Sequence, residues 1–155
     1  MNDMASTETK DYGKRNPLAR VQHDIAERLR ANEWMQAHRV EIIEQNAQAL
    51  SFLLQRSIAQ ISNVVIVVGV DGMTNNPPAL EAETTLTATE NVIMNRTSAD
   101  AATALDAIQV AIEVVDGLEW CFQRMEHETP TQGILQATAT FRGQVTRDTT
   151  TDYNP

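Results

Sequence analysis

Residues 63–70, with the sequence NVVIVVGV, constrain the fold more than any other segment of the chain. Six of these residues are valine or isoleucine, and only Gly69 interrupts the run from Val64 to Val70. Such a short, β-branched run is typical of a strand. Because no polar residue alternates with the apolar ones, both faces of this strand are predicted to be buried. The chain is therefore predicted to form a sheet covered by helices.

A helix is predicted before this strand, starting at residue 17. Asn16 is a suitable N-cap, and Pro17 suits the first helical position because its missing N–H would have no partner there. Apolar residues then recur every three or four positions, as on the buried face of an amphipathic helix. These residues are Leu18, Val21, Ile25 and Leu29. The helix is expected to end near Asn32.

The next segments predict a strand, a second helix and an alternating strand. In HRVEIIEQ, Val40 and Ile42 share one side of a short strand and Glu41 lies on the other. Residues 47–62 predict an amphipathic helix. Residues 71–80, DGMTNNPPAL, have the composition of a projecting loop. Residues 82–89 then alternate, with Ala82, Thr84, Leu86 and Ala88 on one face and Glu83, Thr85, Thr87 and Thr89 on the other.

A third helix and two closing strands complete the predicted fold. Thr97 or Ser98 is expected to cap this helix, and Gly117 to follow its end. The expected apolar stripe consists of Ala101, Leu105, Ile108, Ile112 and Val115. EWCFQRM and ILQATATFRGQVT predict strands separated by EHETPTQG. The order α-β-α-β-β-α-β-β predicts a single α/β (α+β) domain over 16–146, a mixed sheet packed by helices, with a flexible arm at 1–15 and a flexible tail at 147–155.

Charge argues against several kinds of partner. The net charge is −9, and residues 81–128 hold ten acidic residues against two arginines, a net of −8. A nucleic-acid surface needs clustered lysines and arginines, so sequence-specific binding is disfavoured. An acidic surface along which DNA passes without sticking remains compatible. There is no secretory leader and no apolar run of about 20 residues, so we expect no membrane partner and assembly in the cytosol.

The residues that usually carry chemistry do not form a recognisable set. His23, His38 and His127 share no ligand spacing, and Cys121 lies among apolar neighbours, where a buried thiol is expected rather than a nucleophile. There is no glycine-rich phosphate loop and no nucleophile elbow. The acid pairs Glu81/Glu83 and Glu126/Glu128 are expected to be solvated. We expect no catalytic residue, metal or cofactor, and no enzymatic activity.

Residues 90–96, ENVIMNR, carry more polar groups than a connection needs. In one interpretation Glu90 pairs with Arg96 across the turn, while Asn91 and Asn95 bond nearby backbone groups. In the other, Glu90 and Arg96 lie at a subunit boundary and residues 92–94 insert into an adjacent copy. The residues by themselves favour the internal interpretation.

With its surroundings, this segment resembles part of a known family. The element order over residues 17–145, together with ENVIMNR, is similar to that of phage tail terminator proteins, within the wider group of small α/β tail-completion and neck proteins of tailed phages. The resemblance implies a structural virion protein of the tail or neck, assembled in the host cytoplasm. Such proteins form hexameric rings that cap the tail tube, stop its polymerisation and join it to the head–tail connector. DNA passes through the lumen without sequence-specific binding.

The resemblance also implies roles for two groups of residues. At the contact between neighbouring copies it places Glu90, Asn91, Asn95 and Arg96. The loop that would contact a partner ring contains Asp71, Gly72, Asn75, Asn76, Pro77 and Pro78. Two other hypotheses stay open: a neck or head-completion protein of the connector, and, in a different class, an acidic monomeric binding or inhibitor module.

Overall fold

Three helices and five strands account for most of the described chain. In the computed structural model, residues 17–45, 63–76, 79–92, 102–117, 119–131 and 133–145 are described. The helices are α1 (Pro17–Ala31), α2 (Glu33–Ala37) and α3 (Ala104–Val115). The strands are β1 (Glu41–Glu44), β2 (Val65–Asn76), β3 (Ala79–Asn91), β4 (Trp120–Thr131) and β5 (Ile134–Val145). None of these described helices is long and apolar enough to span a membrane.

The strands form one mixed sheet in the order β1-β2-β3-β5-β4. β1 and β2 are parallel, and the other neighbours are antiparallel. Helix α1 packs on β1 and β2, α3 packs on β3 and β5, and the two helices contact each other. They share one hydrophobic core with the sheet. The predicted class, a single α+β domain with a mixed sheet packed by helices, is therefore confirmed.

Helix α1 matches the sequence pattern. It begins at Pro17 and ends at Ala31, as predicted. Val21, Ile25 and Leu29 are all buried in the core because their spacing places them on the face toward the sheet. The predicted cap, Asn16, and the side chain of Leu18 lie outside the described part of the chain.

Strands β2 and β3 also match their predicted faces. Ile66 and Val68 point into the core under the helices, while Val65 is buried on the opposite face at 2% exposure. Burial of β2 on both faces is thus confirmed at its start. In β3 the predicted inward set is buried: Ala82, Thr84, Leu86 and Ala88. Alternation places Thr85, Thr87 and Thr89 on the opposite face.

The predicted loop at 71–80 is wrong. Asp71, Gly72, Asn75 and Asn76 all belong to β2, which pairs with β3 up to Asn76 and Ala79. Only residues 77–78 separate the two strands. Backbone pairing with β3 outweighs the local turn preference of the Asp, Gly and Asn residues, and a bulge between Val70 and Gly72 accommodates the irregular segment. Similarly, residues 126–131 continue β4 instead of forming a loop.

Helix α3 begins later than predicted. Thr103 is its N-cap and accepts a hydrogen bond from the Asp106 N–H, while Ala102 and Thr103 are not helical. The buried face consists of Ala104, Ala107, Ile108, Ala111 and Val115. Leu105, predicted in the stripe, is 39% exposed, because the buried stripe runs through positions 104, 107, 108, 111 and 115 and position 105 lies beside it. Gly117 follows the helix with a φ of +87°, as predicted.

Other expectations differ or fall outside the described residues. Cys121 is exposed on the edge strand β4, so the prediction of a buried thiol is wrong. Its neighbours Trp120 and Phe122 are buried and half-buried, and alternation along β4 places Cys121 on the opposite face. The short helix α2 was not predicted, although its N-cap Asn32 accepts the Met35 N–H at 3.1 Å. The predicted second helix (47–62), the arm (1–15) and the tail (147–155) lie outside the described residues, as do Ala101, Thr97 and Ser98.

Candidate functional site

Glu90 lies near the end of β3, on the sheet face that carries the helices. The alternation that places Leu86 and Ala88 in the core also directs Glu90 toward that face, beside Leu135 of β5. Its side chain is only 3% exposed. A carboxylate this deeply buried needs a polar partner, since an unpaired buried charge is costly.

A partner is provided by the start of helix α3. The Glu90 Oε1 atom accepts a hydrogen bond from the Ala104 N–H at 2.7 Å, and Ala104 is the first residue of α3. The Thr103 hydroxyl accepts the Asp106 N–H at 3.0 Å. These two side chains therefore satisfy two of the N–H groups that a helix leaves free in its first turn. The negative charge of Glu90 also interacts favourably with the positive end of the helix dipole.

The chain after Glu90 is held against the β4–β5 turn. Asn91 is buried at 8% exposure and pairs with Ile134 of β5. The Val92 N–H donates to the carbonyl of Gly133 at 2.8 Å. Gly133 has a φ of +83°, a conformation that glycine adopts without strain. The beginning of the ENVIMNR segment is thus fixed by hydrogen bonds on two sides.

The four residues predicted at a subunit contact are only partly described. Glu90 and Asn91 are buried within this chain, and the Glu90 carboxylate bonds to its own helix α3. Asn95 and Arg96 lie outside the described residues, and with them the proposed Glu90–Arg96 pair. The assignment of these residues to a contact between copies stays a prediction.

Two exposed apolar side chains flank the Glu90–Ala104 hydrogen bond in sequence. Val92, two residues after Glu90, is 36% exposed, and Leu105, next to Ala104, is 39% exposed. We call these two residues the α3-end patch. Of the described residues, the remaining exposed large apolar side chain is Met125 on β4, at 39%. The sequence predicted Leu105 in the core and so missed this half of the patch.

The described residues predicted to meet a partner ring lie along β2, with Asn75 and Asn76 beside the start of β3 and Asp71 and Gly72 near its middle. Asp71 and Gly72 are exposed on β2, and the Thr85 hydroxyl donates to Asp71 Oδ1 at 3.3 Å. Asn75 and Asn76 close the described part of β2, while Pro77 and Pro78 fall outside the described residues. The 13 residues of β3 separate the β2–β3 hairpin end, at Asn76 and Ala79, from Asn91 by about 40 Å, at about 3.3 Å per residue. Glu83, which pairs with Gly72, is about 26 Å from Asn91 by the same measure.

The histidines lie in three separate places. The His23 Nδ1 atom is 3.3 Å from Glu44, and His38 stacks on Trp34 with ring centroids 4.2 Å apart. His127 is exposed on β4. Across the described ranges, no three His, Cys, Asp or Glu side chains group closely enough to hold a metal ion. The expectation that the protein has no metal, cofactor or catalytic residue remains a prediction.

The acid pairs are exposed or partly exposed, and one glutamate of each pair interacts with an arginine. Glu83 lies 3.7 Å from Arg142 across β3 and β5, and Glu126 lies 3.5 Å from Arg124 along β4. Exposed ion pairs of this kind are typical of a solvated surface.

Comparison with known proteins does not assign the chain to a family. A scan against models of protein families gives no match, and a search of curated proteins gives no similar sequence. The resemblance to tail terminators therefore rests on the element order and on the ENVIMNR segment.

Proposed function

We propose that this protein is a structural component of a phage tail, a tail terminator whose ring caps the tail tube and joins it to the head–tail connector. The observation that carries the proposal is the separation of two candidate contact surfaces along β3. The α3-end patch and the β2–β3 hairpin end lie at opposite ends of this strand, about 40 Å apart by its length. A ring subunit needs two complementary surfaces, one for each neighbour, and a further surface for the next ring. The α3-end patch is a candidate for one of the neighbour surfaces, and the hairpin end is a candidate for the surface that meets the next ring.

The contact between copies is made by the α3-end patch in this proposal. Val92 and Leu105 are exposed apolar side chains that gain from burial against a second copy. Glu90 acts behind them, because its hydrogen bond to Ala104 fixes the first turn of α3 relative to β3. Asn95 and Arg96 would complete the contact from the same segment.

In this proposal the β2–β3 hairpin end contacts the connector, and the negative net charge suits the lining of the channel through which DNA passes. Asn75 and Asn76 lie at this end, beside Leu80 and Ala79, while the exposed Asp71 carboxylate lies further along β2 and is a polar group that a partner can also contact. A net charge of −9 disfavours retention of DNA in a lumen. No catalysis is required of such a protein.

The test compares the oligomeric state of matched variants. Size-exclusion chromatography with light scattering, followed by negative-stain imaging, is expected to show rings for the wild type. Leu105→Asp should shift the protein to monomers while leaving its thermal unfolding nearly unchanged, because Leu105 is exposed and outside the core. Met125→Asp is the control, since Met125 has the same 39% exposure but lies on β4.

The proposal fails on either of two results. A wild type that stays monomeric at high concentration and shows no rings would favour the acidic binding module instead. Equal loss of assembly in Leu105→Asp and Met125→Asp would mean that the α3-end patch has no specific role. Arg96→Ala adds a further check: it should weaken assembly without lowering the unfolding temperature of the monomer.

A further inference from the structure

A cleft lies between helix α1 and the adjoining ends of β4 and β5. Its volume is about 840 Å³. One wall is formed by α1, and the other by the start of β4 and the last residues of β5. The lining consists of Arg20, Val21, Asp24, Ile25 and Arg28 from α1, and of Glu119, Trp120, Gly143, Gln144 and Val145 from the opposite wall.

The cleft has an apolar floor and a charged rim. Val21, Ile25 and Trp120 are buried core residues, so they form the floor. Arg20, Asp24 and Arg28 follow each other at intervals of four residues and so lie along one side of α1. No ion pair between described residues includes Asp24 or Arg28. The two arginines are about 12 Å apart along the helix, at about 1.5 Å per residue.

We propose that this cleft is a docking site for the chain's own segment 146–155. Val145 lines the cleft and is the last residue of β5, so the next ten residues, TRDTTTDYNP, are joined to the chain at the cleft. Fully extended, these ten residues reach about 33 Å, which is enough to follow the wall formed by α1.

The two acids of the segment match the two arginines of the α1 wall, and its Arg147 can meet Glu119 of the opposite wall. Asp148 and Asp152 are four residues apart, or about 13 Å in an extended chain. This distance matches the separation of Arg20 and Arg28, so each acid can meet one arginine. Between the two acids lie Thr149, Thr150 and Thr151, whose hydroxyls can donate to Asp24.

The cleft is assigned to this segment and not to a separate peptide because the segment is covalently attached beside the cleft. Partly exposed ion pairs are weak. A segment joined directly to Val145 has a high effective concentration at the cleft, so weak pairs suffice to hold it. The inference is independent of ring formation, since it concerns contacts within one copy.

The fluorescence of Trp120 provides a direct test in the full chain. The protein has two tryptophans, and Trp34→Phe leaves Trp120 in the cleft as the only one. If the segment covers the cleft, Asp148→Asn together with Asp152→Asn should increase acrylamide quenching of Trp120 about two-fold or more. Arg28→Glu should have a similar effect, while Arg39→Gln, at an exposed arginine outside the cleft, should have none.

Charge exchange identifies the pair. Either Asp148→Lys or Asp152→Lys, combined with Arg28→Glu, should restore the low quenching of the parent protein. Circular dichroism checks the fold of each variant, and the segment variants leave α1 itself unchanged. Unchanged quenching in the segment variants, or increased quenching that neither exchange restores, would overturn the proposal. Restoration that disappears on 100-fold dilution would overturn it too, because the segment would then come from a second copy.

Discussion

Removal of the Glu90 carboxylate is expected to destabilise the fold strongly. Its side chain is 3% exposed, and Oε1 accepts the Ala104 N–H at 2.7 Å. A hydrogen bond to a charged group contributes about 1.5–3 kcal/mol, and an unpaired buried N–H costs about 1–3 kcal/mol. Because the attraction to the helix dipole is part of the same interaction, these values overlap. We expect Glu90→Ala to lower the free energy of unfolding by about 2–4 kcal/mol.

Glu90→Gln separates the charge from the hydrogen bond. Glutamine keeps an acceptor oxygen with nearly the same shape, so the loss should be about 1–2 kcal/mol. Urea unfolding followed by circular dichroism, at one protein concentration, measures both variants. With a slope of about 2 kcal/mol/M, the Glu90→Ala midpoint should fall by about 1–2 M.

Glu128→Ala is the matched control, because Glu128 is exposed on β4. It should change the stability by less than about 0.5 kcal/mol. The reasoning is refuted if Glu90→Ala unfolds at the same urea concentration as Glu128→Ala, since the buried carboxylate would then contribute nothing to the start of α3.

Three further substitutions test local features by thermal unfolding. The Thr84 hydroxyl is fully buried and has no hydrogen-bond partner among the described residues. Because valine removes this unpaired group, Thr84→Val should stabilise the fold by about 1 kcal/mol. A lower unfolding temperature would contradict this. A Cβ atom at Gly143 would lie 2.5 Å from the Glu119 carbonyl oxygen and 2.6 Å from the Trp120 ring. Gly143→Ala should therefore lower the free energy of unfolding by about 1–3 kcal/mol. An unchanged unfolding temperature would argue against the close packing. Arg39, which follows α2, has a φ of 54°, a left-handed conformation that strains a residue other than glycine. Arg39→Gly should therefore raise the unfolding temperature by about 2–4 °C. A decrease would show that the strain is absent.

The spacing of apolar residues predicted the core faces, because the positions that face the core are the ones that must be apolar. The stripe of α1 and the alternation of β3 both follow from which positions face the same side of an element. Val21, Ile25 and Leu86 lie in the core for this reason. These features depend only on neighbours within one helix or strand, which a sequence displays.

Features that depend on distant partners were not predictable in the same way. The polar residues from Asp71 to Asn76 favour a turn locally, yet they pair along β3. In α3 the sequence favours the large side chain of Leu105 for the core, whereas the face that packs on the sheet contains Ala104 and Ala107. Both errors arise because packing across elements outweighs local preference.

The candidate site was predicted in part. Glu90 was singled out because residues 90–96 carry more polar groups than a connection needs, and its expected internal partner was Arg96. Its observed partner is the Ala104 backbone N–H, which has no side-chain signature in the sequence. Several residues between 97 and 103 are good N-caps, so the sequence alone did not determine where α3 begins.

Glu90 variants can lose assembly for either of two physical reasons, because Glu90 holds the start of α3 through its hydrogen bond to Ala104. A Glu90 variant would move the first turn of α3, and with it Leu105, even if Glu90 itself touches no second copy. Loss of assembly in Glu90→Ala should therefore follow the loss of stability, and Glu90→Gln should lose less of both. Leu105→Asp should lose assembly at nearly full stability, because Leu105 is outside the core. If Glu90→Gln instead loses assembly completely while remaining almost as stable as the wild type, the Glu90 carboxylate is shared between copies.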